Sequence, residues 1–410
     1  MDTYPVKISL EEAVELMLVH SKETDTKNIP LCEAWHRIAA ENLLAAESIP
    51  PFDKSAYDGY ALQSADIKEA SDENPVTLNI IEEIPAGKHP QFEIVPGSAA
   101  KILTGAPLPV GADVVIPYEK TVFDEKTVRI TTPLNSGQNI VKKGEDISCG
   151  DISVSRGSLI EASDMAQLAG VGCTGVCVYE KLRAGIICTG SELAKAGEPL
   201  SPGKIRNSNS FMVSGYLYGI GAEPEDFGIC PDVAAVIADR LKEAVSRCDC
   251  VITTGGASVG DYDVMKEAIV MAGGEILFWK IRMRPGMAVI GGRIGGKPVF
   301  ALSGNPGTAA VTMQLLVLPV LRKMMGMENF YPKKIQVKML GDYKKGSPYR
   351  RLLRGRMIIK NGEAYFLPSS KQKNSMTSAS RDCLVLGEIP AGNEGVLEGT
   401  MIFAYDLEHF

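Results

Sequence analysis

Residues 182–327 carry the pattern that most constrains the fold. Short apolar runs that end in glycine or polar residues alternate with helical segments along this stretch. The runs are Ala184–Cys188, Cys250–Thr253, Ile276–Trp279 and Val299–Leu302, and the helical segments are Ser210–Tyr218, Val233–Val245, Tyr262–Ala272 and Thr308–Met325. Strands that alternate with helices form parallel βαβ units, because each helix carries the chain back to the same end of the sheet. The pattern therefore predicts a doubly wound α/β domain with helices on both faces of its sheet.

The segments that flank this stretch have other periodicities. Ser9 and Glu12 are spaced as a capping box, which predicts a helix that begins after Ser9 and runs through Val19. Short apolar runs divided by glycine and proline between Thr77 and Thr132 predict a β-rich domain. The tail 332–410 has a similar pattern, which is typical of a small β-barrel or sandwich.

Composition and charge exclude several classes of protein. The 43 basic and 50 acidic residues give a net charge of −7, which is not typical of a general nucleic-acid binder, although an anionic small ligand is compatible with it. We expect no membrane span and no signal peptide, because no apolar window is long enough and the N-terminus lacks a basic region. The nine cysteines form no CxxC pair and the four histidines are scattered, so the sequence predicts no zinc site and a reduced, cytoplasmic setting.

Two loops that join a predicted strand to a predicted helix are rich in glycine and polar residues. The first has the sequence TTGGASVG over residues 253–260, and the second, LSGNPG, occupies residues 302–307. Ligands of open α/β sheets bind at the carboxyl ends of the strands, where backbone N–H groups can contact an anion. The first loop matches neither a P-loop nor a dinucleotide fingerprint, so a tight turn without a ligand is the alternative. The candidate contacts are Gly255, Gly256, Ser258, Gly260, Ser303, Asn305 and Pro306.

Three carboxylates are predicted at the same edge of the sheet. Glu192 follows a turn, Asp232 is a plausible N-cap of the next helix, and Asp263 lies in the first turn of another. Acids at helix N-termini are usually caps or dipole partners. Three clustered carboxylates, however, repel one another unless a hard cation with oxygen ligands neutralises them. Glu192, Asp232 and Asp263 are therefore candidate magnesium ligands.

A cationic cluster follows the predicted strand Ile276–Trp279. If the strand continues, Lys280, Arg282 and Arg284 lie on one face, because side chains alternate along a strand. Such residues are often solvated surface groups, but their place at the edge of the sheet favours oxyanion binding.

The motifs taken together resemble the MoeA family of molybdenum insertases, which includes the E domain of gephyrin. The resemblance runs over nearly the whole chain and depends on the order and spacing of seven motifs: FDKSAYDGYAL, ILTGAPLPVGADVVI, GEDI, TGSEL, IRNSN, VITTGGASVGDYD and LSGNP. It implies transfer of molybdate into adenylylated molybdopterin with release of AMP, dependence on magnesium, and an elongated homodimer. It also implies a molybdopterin adenylyltransferase as upstream partner. The pterin-binding region is similar to that enzyme, which accounts for the α/β pattern of residues 182–327.

The resemblance assigns roles to residues that composition leaves as ordinary loops. It implies catalytic or binding roles for Asp58, Thr104, Asp146, Glu192, Asp232 and Asp263, and substrate contacts for Asn209, Lys280 and Arg284. It also implies four regions: a discontinuous linker domain (1–45 and 143–180), a β-rich domain (46–142), an α/β molybdopterin-binding domain (181–328) and a C-terminal β-barrel (329–410).

The chain departs from the family pattern at three places. Arg284 stands where a second lysine is common, Ser303 stands where many members have proline, and the loop 374–378 lacks a frequent glycine. The alternatives to molybdenum insertion are a non-catalytic scaffold and pterin adenylylation. The six matching positions favour retained chemistry, and the extra regions 1–180 and 330–410 disfavour adenylylation. Molybdate and tungstate are too alike for the sequence to separate.

Overall fold

The computed structural model describes residues 4–256, 264–376, 378, 381 and 383–407. Within these ranges the helices are Leu10–Val19, Ala162–Gly170, Asn209–Gly219, Ala234–Arg247, Val264–Met271, Pro306–Thr312, Met313–Val317 and Leu318–Met324, with short 3₁₀ turns at Leu31–Glu33 and Tyr118–Lys120. The last three helices are consecutive, and Met313–Val317 is a π-helical turn between two α-helical segments. None of the helices in the described part of the chain is long and apolar enough to cross a membrane.

A seven-stranded sheet forms the centre of the molecule. Its order is Val6–Ile8, Glu275–Ile281, Val289–Ile294, Lys297–Leu302, Cys250–Thr254, Arg183–Thr189 and Glu223–Cys230. The last four strands are parallel, and helices cover both faces, as the alternating pattern predicts. The Ser9 capping box is confirmed, with the helix Leu10–Val19 packed in the same core.

One strand of this sheet departs from the parallel βαβ pattern. Val289–Ile294 is antiparallel to both of its neighbours. Its composition hides it, because Gly291 and Gly292 weaken any strand pattern. A Cβ atom at Gly291 would lie 2.1 Å from Cε1 of Phe278, so this position requires glycine for the ring to pack.

Two further β structures and a linker region complete the fold. A six-stranded sheet has the order Val114–Pro117, Gly59–Leu62, Ser98–Ile102, Val76–Ile84, Thr127–Ile130 and Thr121–Phe123. The C-terminal strands close into a five-stranded barrel in the order Arg350–Lys360, Glu363–Pro368, Lys334–Met339, Met401–Asp406 and Val385–Ile389. In the linker region, Thr26–Pro30 pairs with Gly175–Tyr179 and Leu43–Leu44 pairs with Ile152–Val154. The four domain boundaries stay a prediction.

Candidate functional site

A cleft of about 540 Å³ opens at the carboxyl ends of three parallel strands. Loops after Arg183–Thr189, Cys250–Thr254 and Lys297–Leu302 form it, together with the start of the helix Asn209–Gly219. The sequence candidates that line this cleft are Glu192, Asn209, Asp232, Gly255, Gly256, Ser303, Asn305 and Pro306. Three other candidates, Ser258, Gly260 and Asp263, lie outside the described residues.

The two glycines of the first loop allow close packing. Gly255 and Gly256 have φ angles of 95° and 65°. A Cβ atom on Gly255 would lie 2.0 Å from the carbonyl oxygen of Thr189, so no other residue fits there. The N–H group of Gly255 donates to the carbonyl of Leu302 at 3.1 Å. The neighbouring strand therefore already uses the Gly255 amide, and the substrate contact at Gly255 stays a prediction.

Two carboxylates face the cleft from neighbouring loops. Asp232 Oδ2 accepts a hydrogen bond from the backbone N–H of Ser191 at 3.2 Å. Val233 occupies the N-cap position of the helix that follows, and no side chain among the described residues caps that helix. The N-cap prediction for Asp232 is therefore wrong, and its side chain stands beside the loop that carries Glu192. The Glu192 carboxylate lies against Gly190, where a Cβ atom would be 2.7 Å from Oε2. Both acidic residues are exposed.

The donor set of this cleft suits a hard cation. Magnesium prefers oxygen ligands and is commonly held by one or two carboxylates together with substrate phosphates. Glu192 and Asp232 supply two such carboxylates, and no histidine or cysteine lines the cleft among the residues described. Over those same ranges, no group of three or more histidine, cysteine or acidic side chains is arranged as a complete metal site.

Two buried polar atoms on the walls of the cleft have no hydrogen-bond partner among the described residues. They are Thr189 Oγ1 and Asn209 Oδ1, on residues that are 2% and 8% exposed. The Asn209 amide is oriented by its Nδ2 group, which donates to the Gly304 carbonyl at 2.9 Å. Buried polar atoms are normally paired, so these two atoms are candidate contacts for the polar groups of a bound molecule.

A second cleft of about 430 Å³ adjoins the first and shares Ser303 and Asn305 with it. Arg284 and Arg351 line it, and the Arg284 guanidinium lies 5.2 Å from the centre of the Tyr349 ring. Guanidinium groups bind planar or tetrahedral oxyanions through two parallel N–H donors. Within the described part of the chain, the first cleft contains two carboxylates and one arginine, Arg206, whereas the charged side chains of the second are Arg284 and Arg351.

The predicted common face for Lys280, Arg282 and Arg284 is wrong. Lys280 has a φ angle of 67°, which breaks the alternation of the strand, and its ammonium lies 3.5 Å from the centre of the Trp279 ring. Arg282 instead forms an ion pair with Glu12 at 3.6 Å. Lys280 is only 8% exposed and lines neither cleft in the described part of the chain, whereas Arg284 lines the second.

The remaining candidates lie on loops of the six-stranded sheet and the linker region. Asp58 Oδ1 accepts hydrogen bonds from the backbone N–H and the hydroxyl of Thr104, both at 2.7 Å. These bonds hold the pKa of the Asp58 carboxyl below its ordinary value. The loop with Asp146 follows the strand Ile140–Val141. This strand pairs with Lys54–Ser55, which precedes Asp58 in the chain by a few residues. Asp58, Thr104 and Asp146 are exposed and line neither cleft of their own chain.

Sequence reasoning missed Arg354. This residue is 2% exposed, and its guanidinium donates to the carbonyls of Lys373 at 2.9 Å and Met376 at 3.4 Å. The loop that it holds contributes Ser375 to the first cleft and Asn374 to the second. The sequence contains no signal for it, because Arg354 is one of four arginines in the segment RRLLRGR over residues 350–356, and arginines are mostly exposed.

Comparisons with known proteins agree over the whole chain. The MoeA N-terminal region (domain I and II) matches residues 8–172, a probable molybdopterin binding domain matches 185–323, and the MoeA C-terminal region (domain IV) matches 336–407. Proteins named molybdopterin molybdenumtransferase from Staphylococcus epidermidis and Staphylococcus aureus are 35% and 33% identical, each over 96% of this chain and 94% of its own length.

A solved structure extends this agreement to the fold. The crystal structure of the molybdopterin biosynthesis MoeA protein from Pyrococcus horikoshii OT3 is 31% identical, covers 98% of this chain and 100% of its own, and superposes with a TM-score of 0.85. The matches in sequence and in three-dimensional structure show that the chain belongs to the MoeA family.

Proposed function

We propose that this chain is a molybdopterin molybdenumtransferase that transfers molybdate into the dithiolene of adenylylated molybdopterin and releases AMP. The observation that carries the proposal is the pair of adjoining clefts that share Ser303 and Asn305. The first holds the carboxylates of Glu192 and Asp232 together with Arg206, and the second holds Arg284 and Arg351 without a carboxylate among the residues described. A reaction between a phosphate-bearing pterin and a free oxyanion requires two binding places of this kind side by side. The names of the relatives support the same reaction class.

The first cleft is assigned to the pterin nucleotide. Its volume of about 540 Å³ falls within the range of small-molecule sites. Thr189 Oγ1 and Asn209 Oδ1 offer a hydroxyl and a carbonyl oxygen to polar groups of the substrate. Glu192 and Asp232 would hold Mg²⁺, which when bound neutralises phosphate charge.

The second cleft is assigned to molybdate. Arg284 and Arg351 supply fixed positive charge, so a dianion is held without a large reorganisation of the site. One of the carboxylates Glu192 and Asp232 orients or deprotonates the attacking oxygen nucleophile, which is water or molybdate. Attack on the AMP phosphorus breaks its bond to the bridging oxygen, which stays on the pterin phosphate. When the nucleophile is water, AMP leaves at once; when it is molybdate, AMP stays bonded to a molybdate oxygen and leaves when a dithiolene sulfur displaces it from molybdenum. Both dithiolene sulfurs bond to molybdenum, which loses one oxygen, as water formed with the two thiol protons in the first route and as the oxygen carried away by AMP in the second.

The proposal includes a homodimer. Asp58, Thr104 and Asp146 match family positions but line neither cleft of their own chain. A symmetric pair of chains would bring these residues from one subunit to the cleft of its partner.

The experiment that tests the proposed reaction measures AMP released from adenylylated molybdopterin at increasing molybdate concentration. Release of AMP that saturates with molybdate is the expected result. Absence of release with folded protein points to a scaffold without catalysis. Consumption of ATP with free molybdopterin, without AMP release in the first assay, assigns adenylylation instead.

A further inference from the structure

A third cleft, of about 610 Å³, lies on the six-stranded sheet and shares no lining residue with the other two. It lies between the end of the strand Val76–Ile84 and the turn that follows Thr121–Phe123. Its polar lining is four carboxylates, Glu82, Glu83, Asp124 and Glu125, against one ammonium, that of Lys101. The cleft therefore favours a cation.

The floor of this cleft contains a buried hydroxyl group that lacks a partner. Tyr60 lines the cleft and is 0% exposed, and no described residue pairs with its hydroxyl. Tyr60 lies opposite Lys101, and Lys101 lies opposite Glu83, so all three side chains are on one face of the sheet. Burial raises the pKa of Tyr60, and the nearby carboxylates of Glu83 and Asp124 add to this effect. Tyr60 lines the same cleft as Glu83 and Asp124, so the ring that carries the hydroxyl and these carboxylates belong to one site.

Aromatic rings form the apolar part of this site. The ring centres of Tyr60 and Phe123 lie 5.7 Å apart, and the Tyr118 ring packs against both at 5.4 and 5.6 Å. Tyr118 carries a second buried hydroxyl without a partner among the residues that the structure describes. Phe123 is 51% exposed, so part of its surface remains available to a bound group.

The carboxylates are held in place, so they offer fixed negative charge. Asp124 accepts backbone hydrogen bonds from Lys126 at 2.8 Å and Thr127 at 2.7 Å, and Glu82 accepts them from Gln91 and Phe92. Glu83 pairs with Lys101 at 3.1 Å. These four side chains do not form one of the compact groups that a metal ion needs, as none is found in the described ranges.

We propose that this cleft binds a guanidinium group. A flat, weakly hydrated cation stacks on aromatic rings, whereas an ammonium keeps more of its hydration. Its N–H groups donate to Asp124 and to the Tyr60 hydroxyl oxygen, which supplies the missing partner. The ligand is a free small guanidine or an arginine side chain of a peptide segment.

The test titrates the full-length protein with agmatine and with N-acetyl-arginine amide by calorimetry. N-acetyl-citrulline amide, which has the same shape without the charge, is the matched control ligand. We expect both guanidines to bind and the citrulline compound not to bind. Tighter binding of the arginine amide identifies a peptide segment as the source, and tighter binding of agmatine identifies a small molecule.

Two variants locate the binding to this cleft. Tyr60→Phe and Asp124→Asn are each expected to weaken the binding of the better guanidine by roughly 10-fold or more, because each removes a hydrogen-bond acceptor for a charged donor. Glu69→Gln, which alters an exposed carboxylate of the same domain outside the cleft, is expected to change nothing. Tyr60→Phe should also leave the melting temperature equal or higher, since it removes a buried hydroxyl that has no partner.

Equal binding of the arginine and citrulline compounds, or unchanged binding to Tyr60→Phe, removes the guanidinium site. A lower melting temperature for Tyr60→Phe without ligand shows that a resident partner already satisfies the hydroxyl, which also overturns it.

Discussion

At the scale of single residues, Asp58 and Thr104 form a unit on the surface of the six-stranded sheet. Two donors of Thr104 converge on one oxygen of Asp58, at 2.7 Å each. Both donors favour the charged carboxylate, and the pKa of Asp58 is therefore lowered. A lowered pKa contributes stability at pH values above the pKa of the unfolded chain, and this contribution is lost as the pH falls through the pKa of the folded state.

Thr104→Val should raise the pKa of Asp58 toward its ordinary value, because one of the two donors is lost and the backbone N–H remains. Carboxyl-carbon NMR titration measures this directly. Thr77→Val, at an exposed position of the same sheet, is the matched control. A pKa of Asp58 that is unchanged in Thr104→Val contradicts the assignment of the hydroxyl bond.

Arg284 and Arg282 provide a second comparison at this scale, because they are two positions apart and face different surroundings. Arg284→Gln should raise the molybdate concentration for half-maximal rate by roughly 10- to 150-fold, the value of one charge-assisted hydrogen bond. Arg282→Gln should leave it unchanged, since Arg282 pairs with Glu12. Initial rates of AMP release at varied molybdate measure both. A larger effect of Arg282→Gln than of Arg284→Gln would contradict this assignment and would place the oxyanion site at Arg282.

At the scale of secondary-structure elements, the first helix depends on its capping box. The Ser9 hydroxyl accepts from the N–H of Glu12 at 3.1 Å, and the Glu12 carboxylate accepts from the N–H of Ser9 at 2.6 Å. Ser9→Ala should lower the free energy of unfolding of this region by about 1 kcal/mol, the usual effect of a lost N-cap. Urea denaturation followed by circular dichroism measures it, with Ser201→Ala in an exposed loop as the control. An unchanged transition would show that tertiary packing alone holds the helix.

The loop 369–378 depends on Arg354 in a comparable way. Arg354→Met preserves much of the buried volume but loses the bonds to Lys373 and Met376. Tryptic cleavage at Lys371 and Lys373 should accelerate by about 10-fold or more, because hydrogen bonds of a charged group contribute roughly 1.5–3 kcal/mol against local opening. Arg354→Lys should restore little of the protection against cleavage, since one ammonium group lacks the planar array of N–H donors of a guanidinium. Arg356→Met, at an exposed position of the same strand, is the control, and equal cleavage of all variants contradicts the role of Arg354.

At the scale of the whole molecule, one ion-pair network joins the barrel to the central domain. Arg350 on the first long barrel strand contacts Glu11 of the N-terminal helix at 2.6 Å and Glu388 at 3.4 Å. Lys334 contacts the other oxygen of Glu388 at 2.8 Å. The barrel supplies Ser375 to the first cleft, so this attachment sets where that residue lies.

The proposed dimer is tested by mixing two inactive subunits. If Asp58 of one chain completes the cleft that contains Asp232 of its partner, a mixed dimer of Asp58→Asn and Asp232→Asn subunits has one intact site. Random exchange of equal amounts should then restore about a quarter of the parent activity, because half of the dimers are mixed and each has one of two sites. The AMP-release assay after exchange measures it. No activity in a mixture with proven exchange shows that the residues act within one chain.

Features that depend on residues close together in the chain could be predicted from the sequence. The capping box at Ser9 and the alternation of strands and helices over 182–327 rest on local hydrogen bonds and on side-chain periodicity, which are written in short stretches of sequence. The ordered motifs likewise identified the family before any distance was known, because seven spaced motifs rarely occur together by chance.

Features that depend on residues far apart in the chain could not be predicted in this way. The strand Val289–Ile294 turns antiparallel, the Gly255 amide binds Leu302, and Asp232 accepts from Ser191 instead of capping its helix. Arg354 donates a hydrogen bond to a loop about twenty residues later in the chain. The positive φ angle of Lys280 breaks the strand alternation, so the three cationic side chains do not share one face. Each outcome is set by which strand, loop or ring lies next to a residue in space, and local periodicity contains no information about those long-range partners.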